Sequence, residues 1–174
     1  IHIPPDSGAL AGFCHPDDYS SRLENEVGLF KTMGWASDTW TVGDELSTEQ
    51  QALEDIEFTT DNFEKLMKAE LARDTDLFVQ VFAFTDRTQH IFWRLRDATH
   101  PHHDPELAKR YENVIPDAYK RMDAMVGAAR ALAPQARFFV CSDHGFASFR
   151  RGVNINRWLV DHGYMVLERD PCEA

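Results

Sequence analysis

No stretch of this chain approaches the run of about 18 apolar residues that a membrane span needs. No basic segment precedes an apolar one near its start, so no signal peptide is legible. The chain opens on Ile1 rather than Met and is expected to be a piece of something longer. Cysteine is scarce. Cys14, Cys141 and Cys172 are odd in number and far apart, and no CxxC occurs. That excludes a zinc ribbon and a disulfide framework and favours a reducing, cytoplasmic setting. Positive charge is also short: Lys and Arg total 18 against 29 Asp and Glu, a net charge of −11. Proteins that grip nucleic acid present a basic face. No such cluster stands out, so a nucleic-acid groove is not expected. An acidic chain still handles an anionic substrate when metal ions supply positive charge locally. Internal repeats and low-complexity tracts are missing too.

What is present fits one domain. The 174 residues, 43% hydrophobic and 27% charged, are enough for a single sizeable core and are typical of a soluble globular protein. Residues 1–18 are rich in Pro, Gly and Asp and read as extended chain and turns. A helix is predicted from Ser20 or Ser21 to about Met33, ended by Gly34. Residues 39–42 read as a short strand. "STEQ", residues 47–50, reads as a capping box opening a helix, and a further helix is expected from Thr59 or Thr60. The apolar stretch 76–84 is predicted to be a strand, followed by a helix carrying Ile91, Phe92, Trp93 and Leu95. A long helix is expected over Glu106–Leu132, with Pro116 kinking it or marking a join. Residues 137–142 read as a second buried strand, with Cys141 as a small core residue. An Asn154-capped helix then ends at Gly163, and 164–168 reads as a last strand. Both main strands are apolar almost throughout, and helical crossovers join them. That pattern predicts an α/β fold, a three-layer αβα arrangement with a mostly parallel sheet.

In an open parallel sheet, ligands bind beyond the carboxyl ends of the strands. Two such ends carry chemistry. "DLFVQVFAFTDRTQH", residues 76–90, runs out into Asp86 and His90, four apart and so on one face of a helix. "FFVCSDHGF", residues 138–146, runs out into Asp143 and His144. Carboxylate plus imidazole is a ligand set for zinc, manganese or iron. Each motif alone has a plainer reading: an N-terminal Asp with a packed His, and an Asp turn closed by Gly145. Their joint appearance at two strand ends points to one shared site. "THPHHDP", with His100, His102, His103 and Asp104, reads as a solvated loop. Trp93, Phe92 and Ile91 read as core, and Asn154 and Asn156 as caps. Phe146 lines a pocket or packs under the sheet. Arg150 and Arg151 read as surface, and Trp35 and Trp40 as part of a cap over the site.

"FTDRTQHIFWRLRD", "HP", "VCSDHGF" and "GVNINRWL", taken in order, resemble the alkaline phosphatase superfamily. Within it, they resemble the type I phosphodiesterase/nucleotide pyrophosphatase branch and its phosphohydrolase and phosphomutase relatives. The likeness runs over most of the chain and includes the opening "IPPD". It implies a metal-dependent phosphoester hydrolase, acting on a phosphodiester or nucleotide pyrophosphate bond, with two divalent metal ions, zinc or manganese. By that resemblance Asp86 and His90 bind one metal together with a distant His, and Asp143 and His144 bind the other. A Thr or Ser nucleophile and a further Asp, nearer the amino end, complete the family's site. Nothing here corresponds to that nucleophile segment, and His162 lies too close to the second motif to be the distant His. The expectation is therefore the middle part of a larger catalytic domain, 1–174, holding four of the metal-binding side chains and inactive alone. Its partner would be a small phosphoester substrate. A phosphomutase, a sulfatase or phosphonate hydrolase, and a non-catalytic binding module with structural Asp–His pairs stay open beside it.

Overall fold

In the computed structural model the described residues are 14–31, 37, 39, 41–44 and 46–167, and among them six helices and no strand form. Helix α1 spans Tyr19–Val27 and buries Leu23; it stops at Gly28, whose φ of 82° is cheap only without a Cβ. Gly34, expected to end this helix, lies outside the described residues. Helix α2, Glu49–Leu71, opens on a capping box one residue beyond the expected one. Thr48 Oγ1 accepts from the Gln51 amide (3.3 Å) and the Gln51 side chain accepts from the Thr48 amide (3.0 Å). No second helix begins at Thr59 or Thr60. Their hydroxyls donate backwards, to the carbonyls of Asp55 and Ile56 at 2.7 Å each, so the helix runs through them.

Helix α3 spans Phe84–Arg96, α4 Pro105–Arg110 and α5 Val114–Leu132. The single long helix expected over 106–132 is therefore two. The break falls at residues 111–113, and Pro116 sits in the first turn of α5, where its missing N–H costs nothing. Helix α3 is central and packs on α2, α4 and α5. The core is the seam between them: Ile56 from α2, Phe84, Ile91, Phe92 and Leu95 from α3, then Tyr111, Ile115 and Ala118. Arg94 of α3 donates to Glu49 of α2 (2.5 Å), and Arg121 of α5 pairs with Asp61, fastening the helices at their rims. Helix α6, Ile155–Asp161, is capped by Asn154, whose Oδ1 accepts from Arg157 N (3.0 Å), and packs on no other described helix. Asn156 lies inside α6 and caps nothing.

The sheet is the main correction. Residues 76–83 and 137–142 form neither helix nor paired strand among the described residues, and 164–167 likewise. A strand is defined by its ladder, and an apolar run says nothing about who completes that ladder. Residues 76–83 instead lean one side on α2. The Gln80 amide donates to the Phe63 carbonyl (2.9 Å) and the Phe82 ring meets Phe63 edge-on at 6.4 Å. The alternate side, Leu77, Val79 and Val81, is nearly 80% exposed. Cys141 is exposed and is not a core residue. Of the strand expected over 39–42, residue 40 is outside the described set and 41–42 form a turn.

Candidate functional site

Asp86 sits in the first turn of α3, where free backbone N–H groups and the helix dipole favour a carboxylate. His90 follows one turn later, with its Nε2 3.4 Å from Asp86 Oδ1. The other motif comes to the same place. His144 Nε2 stands 4.0 Å from that Asp86 oxygen and 3.6 Å from Asp143 Oδ2. Asp86 Oδ1 therefore faces both imidazoles, one from each motif. Its second oxygen faces Arg87 Nε at 3.6 Å. These separations exceed the roughly 2.8 Å of a charge-assisted hydrogen bond, so the cluster is gathered but not bonded shut. Asp143 is the outlying member: its side chain is 87% exposed and its Oδ1 accepts from the His144 amide (3.0 Å).

The two motifs stay together because an extended segment lies along α3. Residues 143–150 run in the same direction as the helix, with even-numbered side chains touching it. His144 meets Asp86. The Phe146 ring lies 5.0 Å from His90 and 5.9 Å from each of Trp93 and His144. Ser148 meets Trp93 and Asp97, and Arg150 meets Asp97 and Thr99. Two extended residues advance about 6.6 Å and four helical residues about 6 Å, so the contacts keep step. Gly145, Ala147 and Phe149 fall on the far side and are exposed.

The carboxyl end of this seam is tightly bonded. The Ser148 hydroxyl donates to Asp97 Oδ2 (2.6 Å) and receives the Trp93 indole N–H (3.2 Å). Arg150 donates to the same Asp97 oxygen (2.9 Å), to Thr99 Oγ1 (2.6 Å) and to the Thr99 carbonyl (3.1 Å). The Thr99 amide and hydroxyl fill Asp97 Oδ1, at 2.9 and 2.7 Å. These bonds, that from Ser148 foremost and those from Thr99 next, hold the Asp97 carboxyl well below the usual carboxylate range. Arg150 is thus more than a surface residue. Asp97 and Ser148 carried no sequence signal, being 51 positions apart.

The histidine loop, expected to be merely solvated, is bonded into the fold. His103 Nδ1 donates to the Arg94 carbonyl (3.2 Å), the His102 amide donates to His100 Nδ1 (3.1 Å), and Asp104 caps α4 through the amides of Glu106 and Leu107. Ile91 and Phe92 are core, whereas Trp93 is half-buried against Phe146. Trp35 and Trp40 lie outside the described residues.

The model of the type I phosphodiesterase / nucleotide pyrophosphatase family matches residues 2–171. The chain belongs to that family. No curated protein and no solved structure matches it. Membership agrees with the wider alkaline phosphatase resemblance and places the chain among phosphoester hydrolases of the phosphodiesterase and pyrophosphatase type. In this phosphodiesterase-family chain the four expected ligands suit zinc or manganese by chemistry. No three His, Cys, Asp or Glu side chains among the described residues already surround one metal position. No helix there is long and apolar enough to cross a membrane.

Proposed function

We propose that this chain supplies metal-holding side chains to a metal-dependent phosphoester hydrolase that cleaves phosphodiester or nucleotide pyrophosphate bonds. The single observation that carries the reading is Asp86 Oδ1 facing His90 and His144 together. Asp86, His90, Asp143 and His144 would hold the metals, which supply positive charge against phosphoryl oxygens and lower the pKa of an attacking group. The protein's own part is placement. Helix α3 fixes Asp86 and His90 one turn apart, and the Phe146 ring, packed against both imidazoles, keeps the two motifs in register. The Asp86 carboxylate, common to both motifs, is the member whose loss opens the whole cluster. No Ser or Thr hydroxyl among the described residues bonds to any of the four side chains, so the attacking group is assigned elsewhere.

Mn²⁺ titration followed by electron paramagnetic resonance tests this. The chain should bind Mn²⁺, and Asp86→Asn should weaken binding by more than about tenfold, since even outer partners of metal ligands cost 10–100-fold. With Mn²⁺ bound, the ³¹P resonance of bis(p-nitrophenyl) phosphate should broaden, without release of p-nitrophenolate. Equal Mn²⁺ affinity in Asp86→Asn, or no ³¹P broadening, overturns the reading. Steady p-nitrophenolate release by this chain overturns the assignment of the attacking group elsewhere.

A further inference from the structure

Next to the imidazole cluster lies an open pocket of about 460 Å³, lined by Trp93, Arg96, Asp97, Ser148 and Arg150. It is built rather than incidental, because hydrogen bonds link four of its five described lining residues: Arg150 and Ser148 to Asp97, and Trp93 to Ser148. Asp97 is the only acid among its described lining residues, and both of its oxygens are taken by Ser148, Thr99 and Arg150. Arg96 is different. It is exposed, in the last turn of α3, and its guanidinium has no hydrogen bond or ion pair with any described residue. Two guanidiniums against one saturated carboxylate leave this spot positive on a chain of net charge −11. A planar indole stands beside them, and a single ring, Phe146, separates that indole from His90 and His144.

We infer that this pocket is a second-anion subsite: it takes a phosphate group borne on a planar or apolar body, with Arg96 as the contacting cation and Trp93 as the platform. A free guanidinium offers two parallel N–H donors to such a group, and the aromatic face takes the body. Placed one ring away from the cluster, it selects phosphoesters that carry a further anionic group on the arm not being cleaved. That role rests on the phosphoester reading, but the binding chemistry does not.

The test uses the whole chain in EDTA at low ionic strength, with phenyl phosphate as the probe. The Trp93 indole resonance, identified by its loss in Trp93→Phe, is followed by ¹H–¹⁵N NMR. Phenyl phosphate should shift it saturably. Arg96→Gln should weaken that binding by about tenfold or more, the usual scale for a hydrogen bond to a charged group. His144→Ala should leave it unchanged. Arg96 bonds to no described residue, so its loss should leave the structure intact. A shift that never saturates, equal affinity in Arg96→Gln, equal affinity for phenol, or loss in His144→Ala each overturns the subsite. With no metal present, a negative result here leaves the phosphoester reading standing. Failure of Mn²⁺ to bind removes that reading without affecting this titration.

Discussion

Asp97 shows how much of this site is held by a residue with no part in the expected chemistry. Four hydrogen bonds converge on its carboxylate, the first from Ser148. They favour the ionised form, so its folded pKa lies below the ordinary 3.8. The sign of the linkage follows: the stability it contributes is fully present above the unfolded value and is lost as pH falls through the lower folded one. Ser148→Ala should move the Asp97 titration up towards 3.8, read by carboxyl ¹³C NMR, and should free the Trp93 indole N–H in the same spectra. A titration unchanged by Ser148→Ala would mean that Thr99 and Arg150 suffice. At this scale the sequence was informative where chemistry is written as neighbours, as in Asp143–His144, or at helical spacing, as in Asp86 and His90. It was silent on Asp97 and Ser148, since a bond across 51 positions leaves no local pattern.

At the scale of elements, the helices were legible in place though not always in extent, and the strands were not. Helical periodicity and caps are local, and they placed α3 and the Asn154 cap correctly. The one-residue error at Thr48 arose because Ser47 and Thr48 offer the same hydroxyl, and only the geometry decides which one faces the free amides. Thr48→Ala removes one half of the box and should cost about 1 kcal/mol of stability, measured by urea unfolding. Ser47→Ala should cost less, since Ser47 Oγ bonds Thr41 Oγ1 (2.7 Å) and caps no helix. Equal losses would return the cap to Ser47. The strands failed for a physical reason. Phe78, Gln80 and Phe82 do alternate with Leu77, Val79 and Val81, but what they alternate between is α2 and solvent. An apolar run fixes neither the ladder nor the partner that would bury its second side.

For the whole molecule, the three-helix seam around Phe92 and Ile56, each 1% exposed, carries the packing, while the apolar side chains of 77–81 and 139–140 remain outside it. Exposed apolar side chains on unpaired extended chain invite self-association. Val79→Lys should therefore change stability by less than about 0.5 kcal/mol and shift sedimentation towards the monomer. A large stability loss would show that Val79 is buried in solution. The seam between residues 143–150 and α3 has a different implication, one about chain length. Its contacts keep step because two residues of one element match about four of the other. A single residue inserted between Gly145 and Ser148 would turn Ala147 and Phe149 towards the helix and carry Ser148 away from Asp97. Insertion of two would restore the facing but shift the bonded end by a helical turn. Between Gly145 and Ser148, a change of length should therefore cost more than a change at the outward-facing Ala147.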